Sequence, residues 1–201
     1  MLIVLSGKKG SGKDTIADMF VQQGWIKVAF AQFIKKALVE LMGWDESVLN
    51  NQKKEENDEY WGISPRFMMQ FLGTEVLRNS LGNKLSQSIS YQGKEYQASF
   101  HIKRLHQLII SLLKAKKKVI IVDARFQDEI DYVKWMGGIT IGIRGRENLN
   151  QYSNHSSEKD INNFKNIDLI IDNSGTLEGL TNQIKHIIES DNLQGLLHHC
   201  H

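Results

Sequence analysis

Residues 2–13 read LIVLSGKKGSGK, a short apolar run followed at once by a loop rich in glycine and lysine. The segment from Gly7 to Lys13 fits the pattern G-x-x-x-x-G-K. The apolar run predicts a buried strand, and the apolar spacing after Lys13 predicts a helix that begins there. In such a setting, the loop N–H groups and the helix N-terminus point at phosphate oxygens. The segment therefore predicts a phosphate-binding loop between a strand and a helix.

The residue types in this loop indicate which nucleotide groups they contact. Glycines let the backbone turn tightly and come close to a phosphate, and the closing lysine reaches the β- and γ-phosphates of ATP. A glycine-rich turn without a ligand is the alternative, but strand, spacing and lysine occur together here. The predicted ATP-binding residues of the loop are Gly7, Lys8, Gly10, Ser11, Gly12 and Lys13, and Lys13 is also predicted to act in catalysis.

The residue after the loop lysine departs from the general motif. Asp14 stands where Ser or Thr is usual, so a carboxylate replaces the hydroxyl expected on Mg²⁺. Because a hard cation accepts carboxylate oxygen directly or through water, Asp14 is predicted to bind ATP-associated Mg²⁺. An ordinary acidic residue that stabilises a helix N-terminus is the alternative. Thr15 follows in the same helical turn, and we expect its hydroxyl to reach the α-phosphate.

Strands and helices alternate along the chain. Besides residues 2–6, short apolar runs predict strands at residues 25–30, 119–123, 139–143 and 168–172. These runs lack the polar alternation of half-exposed strands, which is typical of a buried parallel sheet. Apolar residues three and four apart predict helices at residues 13–23, 32–42, 64–81, 101–116, 127–136 and 177–190. The pattern predicts one α/β domain over residues 1–201, with a doubly wound, mostly parallel five-stranded sheet.

Two polar segments interrupt this alternation. Residues 45–60 are strongly charged, and residues 88–98 contain a Gly-Lys turn. We expect both to be surface excursions. The single proline, Pro65, is expected in the first turn of the helix that follows it.

The composition narrows the class of partner. With 25 Lys and Arg against 23 Asp and Glu, the net charge of +2 argues against nucleic-acid binding and predicts local phosphate recognition. The N-terminal apolar run is too short for a signal peptide or a membrane span. A single cysteine cannot form an internal disulfide. These features predict a cytoplasmic protein with small-molecule nucleotides as partners and no membrane partner, and they leave a homodimer open.

Charged residues follow two of the predicted strands. Asp123 and Arg125 come after one strand, and Arg144 and Arg146 come after another. In open α/β sheets the ligand lies beyond the carboxyl ends of the strands. Asp123 is therefore a candidate metal and substrate ligand, and the arginines are candidates for neutralising charge on a transferring phosphoryl group. A solvated loop charge is the alternative for each residue alone.

The predicted helix 64–81 carries polar residues that a buried core does not need. Arg66, Gln70, Thr74 and Arg78 are spaced by four and share one helix face. An amide such as Gln70 can read a base edge, while Arg66 or Arg78 can hold an acceptor phosphate. A purely solvated face is the alternative.

These pieces together resemble the deoxynucleoside monophosphate kinases of bacteriophages and large DNA viruses, within the P-loop kinase superfamily. The resemblance spans most of the chain and rests on LSGKKGSGKDTIAD, FAQFIKKAL, RFMMQFLGTEVLR, VDARFQDEIDYVKWMGG, RGR followed by NHSSE, and IDNSGTLEGL. Aspartate after the loop lysine is a feature that these enzymes share with the similar phosphomevalonate kinases. The departure at Asp14 therefore supports the resemblance.

The resemblance implies further site residues. Lys35 and the helix from Arg66 to Arg78 would contact the acceptor nucleotide, within a helical insertion at about residues 32–100. A lid at about residues 144–160 would carry Arg146 and His155, with Glu158 at the substrate. The segment from Asn173 to Thr176 would lie near the adenine of ATP, so that both of its end residues are predicted cofactor-binding residues.

The expected reaction is direct in-line transfer from MgATP to the acceptor phosphate of a deoxynucleoside monophosphate, which forms a diphosphate. A kinase of the phosphomevalonate type is one alternative, although it would have no use for a base-reading amide. A non-catalytic NTP-binding switch is another, but the Asn-Lys-x-Asp guanine signature is absent from the sequence. Base preference and the requirement for deoxyribose stay open.

Overall fold

The structure is a computed structural model that describes residues 1–82, 84, 85, 87–145 and 164–189. The strands are β1 (Leu2–Ser6), β2 (Trp25–Val28), β3 (Gln87–Tyr91), β4 (Lys94–Ala98), β5 (Lys118–Ala124), β6 (Ile139–Gly145) and β7 (Leu169–Asn173). The α-helices are α1 (Lys13–Gln22), α2 (Gln32–Met42), α3 (Glu46–Asn50), α4 (Pro65–Gln70), α5 (Phe100–Lys114), α6 (Gln127–Trp135) and α7 (Leu177–Glu189). A 3₁₀ helix (Gln52–Glu55) and a π-helix (Phe71–Leu81) complete the described elements.

The central sheet confirms the predicted α/β class. Within the described residues, five strands lie in the order β2-β5-β1-β6-β7, and every neighbouring pair is parallel. The carboxyl ends of these strands therefore meet at one edge of the sheet, where the phosphate loop follows β1. Strand β5 extends to Ala124, β6 to Gly145 and β7 to Asn173. Consequently Asp123, Arg144 and Asn173 are among the last two residues of their strands and do not lie in the loops beyond them.

Both faces of the sheet are buried, as the unbroken apolar runs predicted. Alternate β1 residues Ile3 and Leu5 pack with helices α1 and α7, while Leu2 and Val4 pack with α5, α6 and the β3–β4 hairpin. Because each strand sends side chains to both faces, a continuous apolar run is needed to fill two cores. None of the described helices is long and apolar enough to span a membrane.

The prediction that residues 88–98 form a surface excursion is wrong in part. This segment forms the antiparallel hairpin β3–β4, with Gln92 and Gly93 at its turn. Ile89 and Ala98 are buried in the core, and Tyr96 packs against it. The hairpin was missed because its apolar residues alternate with polar ones, so the segment as a whole looked polar.

Residues 45–60, also predicted to be a surface excursion, are mostly exposed and contain α3 and the 3₁₀ helix. Asp45 caps α3 through its carboxylate, which accepts a hydrogen bond from Ser47 N at 2.8 Å. Leu49 is fully buried with Trp44, Ile34 and Leu38 in a small separate core. Of residues 45–60, only Leu49 belongs to this core, and most of the others are exposed, so the segment is polar.

The helix predicted over residues 64–81 has two parts. Ser64 Oγ accepts a hydrogen bond from Phe67 N at 3.1 Å and caps α4, with Pro65 in the first turn as predicted. From Phe71 onward the helix has π geometry. Gly73 lies in this wider helix against Ile34 of α2, where an added Cβ would approach Ile34 Cδ1 to 2.9 Å. π-helical segments occur frequently at functional sites.

Candidate active site

The phosphate loop joins β1 to α1 in the predicted setting. Lys13 Nζ donates to Gly7 O at 2.6 Å and to Lys8 O at 2.7 Å, so its ammonium group lies over its own loop. Gly12 stands directly before α1 with φ of 93°, a left-handed conformation that strongly favours glycine. The local geometry thus concentrates a cation, loop amides and a helix N-terminus at one point.

Neighbouring strands hold this loop in place. Asn173 Nδ2, at the end of β7, donates to Ser11 O at 2.9 Å. Gly145, at the end of β6, comes so close that an added Cβ would lie 2.7 Å from Ser11 Cα. The Ser11 hydroxyl itself is buried and has no hydrogen-bond partner in the described part of the chain. A buried hydroxyl without a partner is costly.

A shallow pocket lies beside the loop, between the end of β7 and the start of α7. Its volume is about 160 Å³, and Asp172, Ser174, Thr176 and Gln183 contribute to its lining. Thr176 Oγ1 accepts a hydrogen bond from Gly179 N at 3.1 Å, which caps α7. Asn173 and Thr176 therefore have structural contacts of their own, and their predicted contact with adenine stays a prediction.

The side chain of Asp14 turns toward β2. One of its oxygens lies 2.9 Å from Lys27 Nζ, and Asp18, one turn later, lies 3.1 Å from the same ammonium group. Burial opposes the charge of Lys27, but hydrogen bonds to Asp14 and Asp18 outweigh it and raise the pKa of Lys27. Asp14 and Thr15 are both exposed. A metal bound by Asp14 would compete with this ion pair, and the predicted metal contact stays a prediction.

Asp123 anchors the turn between β2 and α2. Its two carboxylate oxygens accept hydrogen bonds from Phe30 N at 2.7 Å and Ala31 N at 2.9 Å. Burial raises the pKa of the Asp123 carboxyl, although these hydrogen bonds and Arg125 oppose the rise. Asp123 thereby fixes the start of α2, the helix that carries Lys35. An oxygen with one backbone donor keeps a lone pair for a metal-bound water.

Two of the predicted catalytic arginines are described. Arg125 follows β5 and is close enough to Asp123 for electrostatic interaction. Arg144 is exposed near the end of β6, in register with Asp172 of β7. Arg146, His155 and Glu158, together with most of the predicted lid, lie outside the described residues.

A group of cations in the acceptor region includes one that sequence reasoning missed. Burial lowers the pKa of Lys54, and the positive charges of Arg66 and Lys35 lower it further. Lys54 lies in the 3₁₀ helix, Lys35 in α2 and Arg66 in α4, so three elements bring like charges together. Lys35 Nζ donates to Asn50 Oδ1 at 2.5 Å. The carboxylate of Glu55 also lies among these charges and offsets one of them. The remaining positive charge favours an anionic ligand.

Sequence reasoning missed Lys54 because it lies in the charged segment 45–60, where QKKEEND shows no spacing that distinguishes one lysine from its neighbours. It also missed two aromatic residues near Gln70. Phe67 and Phe71 stack with their ring centroids 6.0 Å apart and stay 53% and 45% exposed. Their spacing of four was a visible signal, but apolar residues at that spacing ordinarily form core.

The remaining predicted acceptor residues differ in their surroundings. Gln70 is partly exposed and Thr74 is buried. Arg78 is only 13% exposed, and it contacts the carboxylates of Asp128 and Glu129 on α6. Its guanidinium therefore already has anionic partners, and the predicted contact with an acceptor phosphate stays a prediction.

Comparison with known proteins identifies the family. The model of the deoxynucleotide monophosphate kinase family matches residues 41–184, a range that includes Lys54, Arg66, Arg125 and the β7 end. The chain belongs to this family. A candidate deoxynucleotide monophosphate kinase of Acanthamoeba polyphaga mimivirus is 33% identical over 194 residues, which are 94% of this chain and 97% of the relative. The predicted resemblance is thereby confirmed, and membership of the deoxynucleotide monophosphate kinases supports nucleotide kinase activity.

Two further comparisons are more distant. An uncharacterised protein of Caenorhabditis elegans, T05G5.5, is 24% identical over 205 residues, covering 94% of this chain and 82% of the relative. Among solved structures, a dephospho-CoA kinase from Campylobacter jejuni superimposes with a TM-score of 0.55 at 16% identity, covering 96% of this chain and 98% of that chain. The second comparison shows that the chain shares the α/β fold of that structure.

Proposed function

We propose that this protein transfers the γ-phosphoryl group of ATP to deoxynucleoside monophosphates and so forms diphosphates. The observation that carries the proposal is the ammonium of Lys13, which lies over the carbonyls of a G-x-x-x-x-G-K loop in a chain of the deoxynucleotide monophosphate kinase family. ATP is the proposed donor because this loop ends at a helix N-terminus, where triphosphate charge is stabilised.

Mg²⁺ is proposed to bind with two acidic residues, Asp14 in the first turn of α1 and Asp123 near the end of β5. The described residues contain no cluster of three or more His, Cys, Asp or Glu side chains that would hold a metal by themselves. Kinase Mg²⁺ is ordinarily held by one or two carboxylates together with the substrate phosphates, a need that Asp14 and Asp123 can meet. When bound, Mg²⁺ would neutralise charge on the β- and γ-phosphates.

The transfer itself is proposed to be in-line, with no covalent intermediate on the protein. An acceptor phosphate at neutral pH is already an anion and needs no strong base, so the chain has to position and neutralise charge. Lys13, Arg125, Arg144 and Arg146 would neutralise charge that develops on the transferred group. A lid at residues 144–160, with His155 and Glu158, would exclude water from the site.

The acceptor is proposed to bind in the helical region at residues 32–100. Lys35, Lys54 and Arg66 would hold its phosphate, since they bring three positive charges together. Gln70 would read the base edge, with Phe67 and Phe71 offering apolar ring faces beside it. An exposed aromatic pair next to an amide suits a base better than the aliphatic chain of phosphomevalonate.

The proposed activity is tested by ADP release over a panel of deoxynucleoside monophosphates, ribonucleoside monophosphates and phosphomevalonate. We expect at least one deoxynucleoside monophosphate to be the best acceptor by kcat/KM. Preferred phosphorylation of phosphomevalonate would replace the proposal with the related small-molecule kinase, and acceptor-independent slow hydrolysis alone would replace it with a nucleotide-binding switch.

The metal role of Asp14 makes a separate prediction. Asp14→Asn should raise the Mg²⁺ concentration for half-maximal rate severalfold, because an amide is a weaker ligand than a carboxylate for a hard cation. Asp18→Asn is the matched control, since Asp18 contacts the same Lys27 ammonium group from one turn further along α1. Equal metal requirements in the two variants would reduce Asp14 to a partner of Lys27.

The acceptor assignment predicts two losses that differ in kind. Arg66→Ala should raise KM for every acceptor by a similar factor of about 10–100, since all acceptors share the phosphate and a charged hydrogen bond contributes about 1.5–3 kcal/mol. Gln70→Ala should instead change the ranking of acceptors, because bases differ in their donors and acceptors. Measuring kcat/KM for several deoxynucleoside monophosphates decides this, and reordered bases in Arg66→Ala would reverse the assignment.

A further inference from the structure

Glu129 is a buried carboxylate that the proposed reaction does not use directly. It lies in the first turn of α6 and is 2% exposed. Its Oε2 accepts hydrogen bonds from Arg125 N at 2.7 Å and from Phe126 N at 3.2 Å. This carboxylate therefore holds the backbone of the turn that follows β5, the turn from which the Arg125 side chain extends.

Arg78 covers the same carboxylate from the other side. One terminal nitrogen of its guanidinium contacts Glu129 Oε1, and the other lies 2.8 Å from both carboxylate oxygens of Asp128. The guanidinium carbon lies 3.6 Å from the centre of the Phe126 ring. The side chain of Arg78, on the π-helix, thus contacts three residues, of which Phe126 lies in the turn and Asp128 and Glu129 lie in α6.

The energetics of the Glu129–Arg78 pair favour a role in positioning residues over a role in stabilising the fold. Burial raises the pKa of Glu129, while the positive charge of Arg78, which it contacts, opposes this rise and favours the carboxylate. A buried ion pair is often no more stabilising than apolar residues of similar volume. What this pair adds is fixed geometry, because a planar guanidinium and a carboxylate with two backbone donors allow little movement.

We propose that Glu129 and Arg78 are positioning residues that fix Arg125 relative to the acceptor-binding helix. The proposal rests on the proposed function, in which Arg125 neutralises charge on the transferred phosphoryl group. Arg78 extends from the helical segment that continues α4, so the pair fastens the helix bearing Gln70 to the turn bearing Arg125. The pair thereby fixes the position of Arg125 relative to the bound acceptor. Arg78 acts through Glu129 and does not contact the acceptor phosphate.

The kinetic test is a double-mutant cycle between Glu129→Gln and Arg125→Ala. Glu129→Gln should lower kcat by about 10–100-fold, as expected for a slightly misplaced catalytic group, and should leave KM for ATP within about threefold. In the Arg125→Ala background the same change should have little further effect, because there is no side chain left to position. Independent, multiplicative losses would overturn the proposal.

Asp128→Asn is the matched control, since Asp128 is the adjacent carboxylate and contacts the same arginine without bonding to the Arg125 amide. It should lower kcat far less than Glu129→Gln does, and equal losses would show that only the anchoring of Arg78 matters. Should Glu129→Gln fail to fold, Arg78→Lys keeps the cation but cannot span both carboxylates. That variant should also lose kcat, with acceptor KM changed little, whereas a loss confined to acceptor KM would make Arg78 a phosphate ligand.

Amide hydrogen exchange separates this inference from the proposed function. The amides of Arg125 and Phe126 should exchange at least about tenfold faster in Glu129→Gln than in the wild type and in Asp128→Asn, because they lose a charged acceptor. If the wild type phosphorylates no deoxynucleoside monophosphate, the proposed function fails while the exchange result still decides whether Glu129 holds the turn. Unchanged exchange would overturn the positioning role whatever the activity.

Discussion

Lys13→Ala should lower kcat by about 10²–10³-fold while the protein stays folded. The ammonium group lies at the N-terminus of α1, over the carbonyls of Gly7 and Lys8, where the proposed triphosphate binds. Removing a preorganised cation from the path of the transferred group costs about 3–4 kcal/mol of transition-state stabilisation. Neither sheet-face core includes Lys13, so thermal unfolding should change little. Initial rates of ADP release and a melting curve measure both quantities.

Lys9→Ala is the control for loss of charge in the same loop. Lys9 Nζ points away from the loop carbonyls and lies 3.0 Å from Glu55 Oε1, in an exposed pair. Exposed pairs of this kind contribute little to stability, and we expect kcat to stay within about threefold of the wild type. Near-normal turnover of a folded Lys13→Ala protein would refute the phosphate-loop assignment, and equal losses in both variants would reduce it to a general charge effect.

The central fold could be predicted because its signals are local and redundant. Each parallel strand is a largely apolar run, and all but β6 are followed by helical spacing, so five strands and their order of appearance could be identified. The hairpin β3–β4 escaped prediction because its apolar residues alternate with polar ones, a weaker local signal than the apolar runs of the central sheet. The π-helix escaped it for a similar reason, since residues 71–81 have ordinary α-helical spacing and the wider geometry accompanies the close packing of Gly73 against Ile34.

The sequence predicted which residues lie at the candidate site better than it predicted the contacts that they make there. The motif located Lys13 and the loop glycines, because spacing and chemistry coincide there. Strand-end logic placed Asp123 at the sheet edge, but only the structure shows that both of its oxygens already accept backbone hydrogen bonds. A polar residue that the sequence predicts to be a ligand can instead stabilise the site through hydrogen bonds to its backbone. Which of the two roles it has depends on its tertiary contacts, which the sequence does not show.

Asn173 shows why this distinction matters for experiments. The resemblance places it near adenine, whereas the structure uses its amide to hold the loop backbone at Ser11. A loss of ATP binding in Asn173→Ala would therefore not by itself establish a contact with adenine. A substitution within the loop itself, at Gly12, can separate contact with adenine from support of the loop.

Gly12→Ala should lower kcat/KM for ATP by about a hundredfold, as expected when a catalytic loop is displaced by about 1 Å. Gly12 has φ of 93°, and L-residues lose about 1–2 kcal/mol in left-handed backbone conformations. An added Cβ would also collide with Asn173 Nδ2, so the loop or the amide has to move. Because the Asn173 amide holds Ser11 O, the displacement should reach the loop backbone. ATP binding by calorimetry and ADP-release kinetics measure the loss.

Gly10→Ala separates backbone strain from this collision. Gly10 has a similar φ of 81°, but no atom lies within 4 Å of its added Cβ, so only the conformational cost of about 1–2 kcal/mol in stability applies. We expect its kcat/KM for ATP to fall far less than that of Gly12→Ala. The double variant Gly12→Ala/Asn173→Ala removes the colliding amide and should be no worse than Gly12→Ala alone, since both changes act on the same contact. If the two losses multiply instead, Asn173 contributes to ATP binding independently of the loop, and its predicted place beside adenine gains support.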